Sequence, residues 1–125
     1  MDSLTPRRQS KAEAAVSDEM MAFQHGFVGR GPERIRTRMV DDLVIVRSFG
    51  VFTAAEKRLA ASSEGRRLIK ALRQQVLEAG RPTLEAIVRR HTGAEVVSIH
   101  SDISTKSGKW MDVFVLDRVL EGEGS

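Results

Sequence analysis

Hydrophobic and polar positions follow a helical period in some stretches of this chain and a strand period in others. Between Ser10 and Phe27 apolar residues recur every three or four positions, which is the spacing of one face of an α-helix. The stripe consists of Ala12, Val16, Met20, Phe23 and Phe27. The sequence Ser10-Lys-Ala-Glu is a capping box that predicts the helix start, and Gly26 suits its end.

The next stretch has period two, which is typical of β-strands. From Arg34 to Val40, apolar and threonine side chains share one face and three arginines share the other. Asp41-Asp42 predicts a two-residue turn, and the β-branched stretch from Leu43 to Phe49 predicts a second strand. The preceding Gly29-Arg30-Gly31-Pro32 predicts a turn; it lacks the lysine and the following helix of a phosphate-binding loop.

Helical spacing returns after Thr53. The sequence Thr53-Ala-Ala-Glu is a second capping box, which predicts a short helix to about Ala61, and Ser62 can cap another helix. The apolar stripe of that next helix is Leu68, Ile69, Leu72, Val76, Leu77, Leu84, Ile87 and Val88. Pro82 removes a backbone donor inside this stripe, so we expect either one kinked helix or two abutting helices.

Two further strands are predicted, from Val96 to Ile103 and from Trp110 to Asp117, joined by a loop over 104–109. The elements then follow the order α-β-β-α-α-β-β. This order predicts an α+β fold, in which two hairpins form a four-stranded antiparallel sheet with helices on one face. We expect a single domain over residues 10–118, with flexible tails at 1–9 and 119–125.

Composition narrows the class of protein. The 125 residues are 41% hydrophobic and 30% charged, which is a globular balance. The absence of cysteine excludes disulfides, thiolate zinc sites and cysteine nucleophiles, and a reducing cytoplasm fits it. No apolar run approaches the ~20 residues needed to span a bilayer, so we expect a cytoplasmic protein without a transmembrane segment. The net charge of +3 permits an anionic partner.

Candidate chemistry is sparse. His25, His91 and His100 fall on three different elements, and neither HExxH nor GxSxG occurs. His100 and Asp102 share a strand face and, with Asp112, could form part of a metal site; a polar outer face of the hairpin is the more ordinary explanation. We therefore expect no enzyme activity, no catalytic residue, no metal and no cofactor.

The arginine row is the strongest charge feature. Arg34, Arg36 and Arg38 project from one strand face, and Arg30 lies just before them. Such a row suits phosphate, anionic headgroups or an acidic protein surface. It would equally protect an edge strand from aggregation. No aromatic residue interleaves with the arginines and tyrosine is absent, which weakens a nucleic-acid interpretation because single strands usually need stacking platforms.

A combination of short segments runs through most of the chain: Gly29-Arg30-Gly31-Pro32, Asp41-Asp42-Leu43-Val44-Ile45-Val46, Gly50-Val51-Phe52-Thr53 with Glu56 and Leu59, then Gly65, Arg73, Arg81-Pro82, Thr92-Gly93, Val97, Asp102 and Val113-Phe114-Val115-Leu116. Through these segments the chain from about Ala22 to Leu116 resembles the MpsC family, named for a sodium-translocating membrane-potential-generating system. Phe52 stands where the family usually has leucine. Arg34 and Arg38 lie outside the family's pattern.

The resemblance implies a small soluble protein associated with membrane systems that handle inorganic carbon and cation gradients. It supplies no catalytic residue. The polar positions of the pattern, together with two arginines of the row, form the predicted ligand-binding set: Arg30, Arg34, Arg36, Arg73, Arg81 and Asp102. Structural roles are the alternative, since Arg73 and Arg81 could cap carbonyls or pair with Glu78 and Glu85.

Our first hypothesis is a non-catalytic accessory or regulatory protein that binds a membrane transport protein partner. The alternative is a small basic nucleic-acid-binding module, although the scarcity of aromatics makes nucleic acid the less favoured partner. We also predict a homodimer or higher homo-oligomer, because the strands carry more apolar side chains than one helix layer should cover. The residues behind this prediction are Val44, Val46, Val96, Trp110, Phe114 and Leu116.

Overall fold

The computed structural model describes residues 6–120 and contains seven helices and strands. In chain order these are α1 (Pro6–Phe27), β1 (Arg34–Val40), β2 (Leu43–Phe49), α2 (Ala54–Leu59), α3 (Ser63–Thr92), β3 (Val96–Ser104) and β4 (Lys109–Leu116). The strands form one antiparallel sheet in the order β1-β2-β4-β3. The predicted α+β class and the element order α-β-β-α-α-β-β are confirmed.

Helix α1 begins at Pro6, earlier than the predicted start at Ser10. Proline suits the first helical turn because its φ is already helical and its missing N–H would have no partner there. Glu13, expected to close a capping box, instead accepts a hydrogen bond from the backbone N–H of Met39 on β1 at 2.7 Å. Residues 6–9 are therefore part of the helix, and the rest of the predicted N-terminal tail lies outside the described residues.

The first residues of the predicted C-terminal tail, 119–125, contact the hairpin formed by β1 and β2. The backbone N–H of Leu120 donates to the carbonyl of Asp41 at 2.8 Å. The remainder of that predicted tail, 121–125, lies outside the described residues. Asp41 itself has a φ of 56°, and with Asp42 it forms the predicted two-residue turn between paired Val40 and Leu43.

The core lies between one face of the sheet and helices α1 and α3. Val16 and Met20 of α1 and several residues of α3 pack against alternate positions of the strands. All six residues behind the oligomer prediction belong to or pack against these core clusters: Val44, Val46, Val96, Trp110, Phe114 and Leu116. They form no apolar surplus, because the helix layer covers the whole face on which they lie.

No helix of residues 6–120 covers the opposite side of β1, β2 and β4, and we call that side the outer face. Its positions alternate with the buried ones along each strand. They are Arg34, Arg36, Arg38, Val40, Leu43, Ile45, Arg47, Phe49, Lys109, Met111, Val113 and Val115. The outer face is thus a mixture of aliphatic and cationic side chains, and the prediction of helices on one face of the sheet is confirmed.

Helix α3 is one helix of 30 residues, with Pro82 inside it, and two abutting helices do not form. Leu77, Leu84 and Ile87 pack in the same core cluster on both sides of the proline, so tertiary packing holds the two halves together. Gly80 allows the close approach of α1, since a Cβ there would lie 2.4 Å from the ring of Phe23.

Two of the eight residues in the predicted stripe of α3 do not lie on its buried side. Leu68 and Leu72 are 55% and 54% exposed, while Ile69 and Arg73 take the buried positions beside them. The buried side runs through Gly65, Ile69, Arg73, Leu77, Gly80, Leu84, Ile87 and Val88. Apolar spacing alone would place Leu72 on the buried side. Arg73 is buried instead because its guanidinium pairs with the buried carboxylate of Glu56.

The short helix α2 has the predicted capping box. Thr53 Oγ1 accepts from the N–H of Glu56 at 3.1 Å, and the N–H of Thr53 donates to the Glu56 carboxylate at 3.0 Å. The helix ends at Leu59, slightly before the predicted Ala61. Ser62 then caps α3 by accepting from the N–H of Gly65 at 2.9 Å.

Candidate functional site

Arg30, the first of the six predicted ligand-binding residues, has a structural contact. Its Nη1 donates to the carbonyl of Gly50 at 2.8 Å, which ties the loop before β1 to the end of β2. Gly29 and Gly50 have φ angles of 91° and 66°, so both chain reversals use the left-handed region that glycine adopts without strain. The predicted turn at this loop is confirmed, and Arg30 helps to hold it.

Arg73 is almost completely buried and links four parts of the fold. Its Nε and Nη2 donate to the two carboxylate oxygens of Glu56 at 2.9 and 2.6 Å. Nη2 also donates to the carbonyl of Val51 at 3.0 Å, and the guanidinium lies 4.8 Å from the ring centroid of Trp110. Of the structural roles considered for Arg73, donation to a carbonyl is the one observed, and its acidic partner is Glu56 rather than the exposed Glu78.

Arg81 and Asp102 also have partners of opposite charge. Arg81 lies 3.4 Å from Glu78 and 3.6 Å from Glu85 on the surface of α3, as the structural alternative predicted. Asp102, on the edge strand β3, accepts from Lys70 at 2.9 Å. These ion pairs leave the two side chains with little unbalanced charge for a ligand.

The six predicted residues do not converge on one site. Arg73 and Asp102 line the same cleft, of about 240 Å³, together with Lys70, Gln74 and Trp110. Every charged group lining this cleft belongs either to the Lys70–Asp102 pair or to the Arg73–Glu56 pair. The cleft is therefore a polar surface depression whose charges are already balanced, and it is weaker than the outer face as a candidate site.

Arg34 and Arg36 lie on the outer face, where the structure brings further cations to them. Arg34 lies 4.4 Å from the ring centroid of Phe49, and Arg47 and Lys109 lie 5.7 and 5.2 Å from it. None of these four cations forms an ion pair with a described residue. The alternating pattern predicted the row on β1, but the sheet register was needed to find Arg47 and Lys109.

The edge of β1 is protected by α1 at Met39, which bears on the alternative explanation of the arginine row. Gln9 donates to the carbonyl of Met39 at 2.8 Å, and Glu13 accepts from its N–H at 2.7 Å. Both edge-facing backbone groups of Met39 are therefore occupied. At that point the strand cannot pair with another sheet whether or not arginines are present, so edge protection does not account for the whole row.

Asp112 is a buried carboxylate that sequence reasoning placed on the outer side of the hairpin. Its position on β4 alternates with Trp110 and Phe114, both of which point into the core. Burial raises the pKa of Asp112 to about 6, and a hydrogen bond from Ser101 partly offsets this. Ser101 also accepts from the indole Nε1 of Trp110 at 2.7 Å. The signal that could have located Asp112 is its period-two spacing with the two aromatics.

A small internal cavity adjoins Asp112. Oδ1 of Asp112 and Oε1 of Gln24 are both buried and have no hydrogen-bond partner among the described residues, and both residues line a cavity of about 10 Å³. That volume admits about one water molecule, and a water can donate to two acceptors. The nitrogen end of the Gln24 amide is already used, because it donates to Ser48 Oγ at 3.0 Å.

A surface cluster links α1 to the end of α3. The carboxylate of Glu19 contacts both His91 and Arg90. Hydrogen bonds from His91 and then from Arg90 hold the pKa of Glu19 below its ordinary value. These contacts hold α1 against α3, and this structural role explains why Glu19, Arg90 and His91 are charged or polar.

His100, Asp102 and Asp112, which could have formed part of a metal site, do not come together. His100 lies near Ser98 Oγ at 3.3 Å, Asp102 pairs with Lys70, and Asp112 points into the core. Among residues 6–120 there is no group of three histidine or carboxylate side chains that could hold a metal ion. Within the same residues, no helix is long and apolar enough to cross a membrane.

Comparison with known proteins assigns the family. The model of the MpsC family, described as a Na⁺-translocating membrane-potential-generating system, matches residues 8–118. The chain belongs to the MpsC family. This MpsC chain is 31% identical over 115 residues to the uncharacterized protein YbcI of Bacillus subtilis, covering 92% of this chain and 93% of YbcI.

A second relative of this MpsC chain comes from the same bacterium. The uncharacterized protein YrhF of Bacillus subtilis is 29% identical over 114 residues, which cover 90% of this chain and 93% of YrhF. No solved structure matches the chain. The family description links the chain to a sodium-translocating, membrane-potential-generating system, and neither relative carries a described activity.

Proposed function

We propose that this MpsC chain is a non-catalytic accessory or regulatory protein of a membrane ion or inorganic-carbon transport system, and that it works from the cytoplasmic side by binding a membrane transport protein. The family match over residues 8–118 is the observation that carries the proposal. In this proposal the chain performs no reaction of its own and needs no cofactor.

The arrangement of charges supports a binding role. Arg30, Arg73, Arg81 and Asp102 all contact structural partners. Arg34 and Arg36, which form no ion pair with a described residue, lie on the outer face together with Arg47 and Lys109. A surface on which unpaired charge adjoins aliphatic side chains is suited to contact with a protein.

The test is physiological. In cells that lack this chain, the sodium-dependent part of the membrane potential should fall, and a plasmid carrying the chain should restore it. A potential-sensitive dye, read with and without sodium in the medium, measures this difference directly. An unchanged sodium-dependent potential in the deletion strain would contradict the proposal, and restoration by an unrelated small basic protein would contradict it equally.

Self-association is part of the same proposal. Leu59 of α2 and Leu68 and Leu72 of α3 are 42%, 55% and 54% exposed, and an apolar helical surface of this kind supports a homodimer or higher oligomer. Light scattering should give more than the monomer mass of 13.9 kDa, and a Leu68→Glu/Leu72→Glu variant should return to it. A wild-type protein that stays monomeric at high micromolar concentration would contradict the proposed self-association.

A nucleic-acid-binding module is the second candidate, because cations surround an aromatic ring on an open sheet. Phe49 is the single aromatic residue among the outer-face positions, and three cations already flank its ring. We therefore expect weak, sequence-independent binding to oligonucleotides. Sub-micromolar binding at physiological salt that disappears in an Arg34→Gln/Arg36→Gln/Arg38→Gln variant would promote this candidate to first place.

A further inference from the structure

The outer face is aliphatic where the two central strands pair. Leu43 lies opposite Val115, and Ile45 lies opposite Val113. These four side chains are partly exposed, and the neighbouring Met111 is 38% exposed. Contiguous apolar surface of this kind on a small domain usually marks a place where another molecule binds.

Cations border the aliphatic patch, and they repel one another in the free protein. Arg36 and Arg47 are direct cross-strand partners, an arrangement in which like charges weaken strand pairing. Arg34 and Lys109 add charge beside them around Phe49. Folding alone does not explain this concentration of positive charge. A bound carboxylate would relieve the repulsion by contacting two or more of these side chains.

Charge and apolarity are unevenly distributed along the face. The end near the Asp41-Asp42 turn is aliphatic, around Leu43 and Val115, while the end near Phe49 is cationic. Strand β2 extends over roughly 20 Å between these ends. A helix of about 13 residues has that length, and its diameter of about 10–12 Å fits the three strands of the outer face. The occupant should therefore combine an apolar stripe with acidic side chains.

From these observations we infer that the outer face binds an amphipathic helix of a protein partner, with the helix's apolar stripe over Leu43, Ile45, Val113 and Val115 and its carboxylates on Arg36 and Arg47. This inference rests on the proposed function, because the helix would belong to the membrane system's protein. Helices commonly bind in this way, with apolar side chains providing affinity and flanking charges fixing the orientation.

Other occupants fit the face less well. A second copy of the chain would bring the same cations against Arg36 and Arg47 and increase the repulsion. A bilayer surface favours aromatic side chains that can insert, but the ring of Phe49 lies among three cations. The same crowding of Phe49 disfavours base stacking by a nucleic acid.

The experiment uses designed helical peptides of about 14 residues, long enough to cross the face. One carries a leucine stripe with glutamates on its flank, and its matched control replaces each glutamate with glutamine. Fluorescence anisotropy should show at least about ten-fold tighter binding of the acidic peptide, a difference of about 1.4 kcal/mol. Raising the salt concentration should reduce this advantage, since the cations are exposed.

Protein variants locate the contact. Arg36→Gln/Arg47→Gln should lose about ten-fold in affinity for the acidic peptide while retaining its affinity for the neutral one. Lys11→Gln/Arg67→Gln removes the same charge from exposed positions on α1 and α3 and should leave both affinities unchanged. Arg36→Lys/Arg47→Lys should keep most of the binding. Circular dichroism melts of each variant establish that the fold is retained.

Several outcomes would overturn the inference. They are equal affinity for the two peptides, no binding of either, or an unchanged affinity in Arg36→Gln/Arg47→Gln. Tighter binding to phosphatidylglycerol vesicles or to a single-stranded oligonucleotide, or a dimer that this variant dissociates, would assign the face to another occupant. If the variant still restores the sodium-dependent potential, the inference fails and the proposed function stands. If the deletion leaves that potential unchanged while the peptide binds as expected, the proposed function fails alone.

Discussion

The guanidinium of Arg73 and the carboxylate of Glu56 form a bidentate ion pair that joins α3 to α2. Their heavy atoms are 2.6 and 2.9 Å apart, and the two side chains are 3% and 6% exposed. The same guanidinium donates to Val51 and lies against Trp110. One side chain thus connects two helices, a loop and a strand, which is why we assign Arg73 a structural rather than a ligand-binding role.

Removing one partner of this pair should be strongly destabilising. We expect Glu56→Gln to lower the free energy of unfolding by about 3–5 kcal/mol, because the buried guanidinium loses its counter-charge. Urea unfolding measures the change. Glu78→Gln, which removes an exposed partner of Arg81, is the matched control and should change stability by less than about 1 kcal/mol. Similar effects of the two substitutions would contradict the structural role of the pair.

Asp112 should make stability depend on pH. Its folded pKa of about 6 exceeds the ordinary value of 3.8, so the folded protein holds this proton more tightly than the unfolded chain. The stabilisation by the protonated form is complete below pH 3.8 and is lost as the pH rises through about 6. Relative to Asp112→Asn, the wild type should therefore lose about 3 kcal/mol between acidic and neutral pH.

The measurement is the difference in unfolding free energy between wild type and Asp112→Asn across that pH range. Taking a difference cancels the carboxylates that the two proteins share, including Glu19. At neutral pH the variant should be the more stable protein. A difference that does not vary with pH would mean that Asp112 is solvated in the folded state.

Gly65 should tolerate no side chain. A Cβ at this position would lie 1.8 Å from the carbonyl oxygen of Leu59, and backbone atoms cannot rotate aside as a side chain can. We expect Gly65→Ala to cost at least about 3 kcal/mol of stability, because the junction between α2 and α3 must shift. Gly26→Ala provides the comparison, since no described atom beyond the nearby backbone of its own helix lies within 4 Å of its Cβ position.

Gly26 lies near the end of α1, so alanine there should leave stability unchanged or raise it by up to about 1 kcal/mol. Thermal melts of Gly65→Ala and Gly26→Ala in the same buffer measure the two changes in stability. A Gly65→Ala protein that melts with the wild type would show that the junction can relax.

Thr53→Ala should lower the free energy of unfolding by about 1 kcal/mol, because the N–H of Glu56 loses its hydroxyl acceptor. Thr53→Ser keeps the hydroxyl and should restore most of the loss. Chemical unfolding of the three proteins gives the ranking. If serine is no better than alanine, the methyl group rather than the hydrogen bond accounts for the effect.

Local sequence signals were sufficient for most of the fold. The Thr53 capping box, the Asp41-Asp42 turn and the alternating strands depend on neighbouring residues, and the structure has each of them. The long-range features could not be predicted in this way. Arg73 lies on the buried side of α3 because the buried carboxylate of Glu56 is opposite it. Arg36 lies opposite Arg47 because of the register between β1 and β2. Neither partner can be identified from the spacing along the chain.

The same limit explains the oligomer prediction and the candidate site. The sequence predicts Trp110 and Phe114 as uncovered apolar residues because spacing along β4 does not show how this strand pairs with β2 and which face of the sheet they occupy. That pairing also sends Val113 and Val115 to the outer face. The apolar residues that remain exposed on the sheet are thus a different set from the predicted one.

The pairing of β2 with β4 also has a consequence for the order of events during synthesis. Each hairpin pairs strands that are close in the chain, but β2 and β4 are separated by both α2 and α3. The sheet therefore stays in two halves until β4 has left the ribosome, and the pairing edge of β2 is open until then. Contacts between distant residues form slowly because a long loop must close first. We expect the emerging chain to need protection of that edge until the second hairpin arrives.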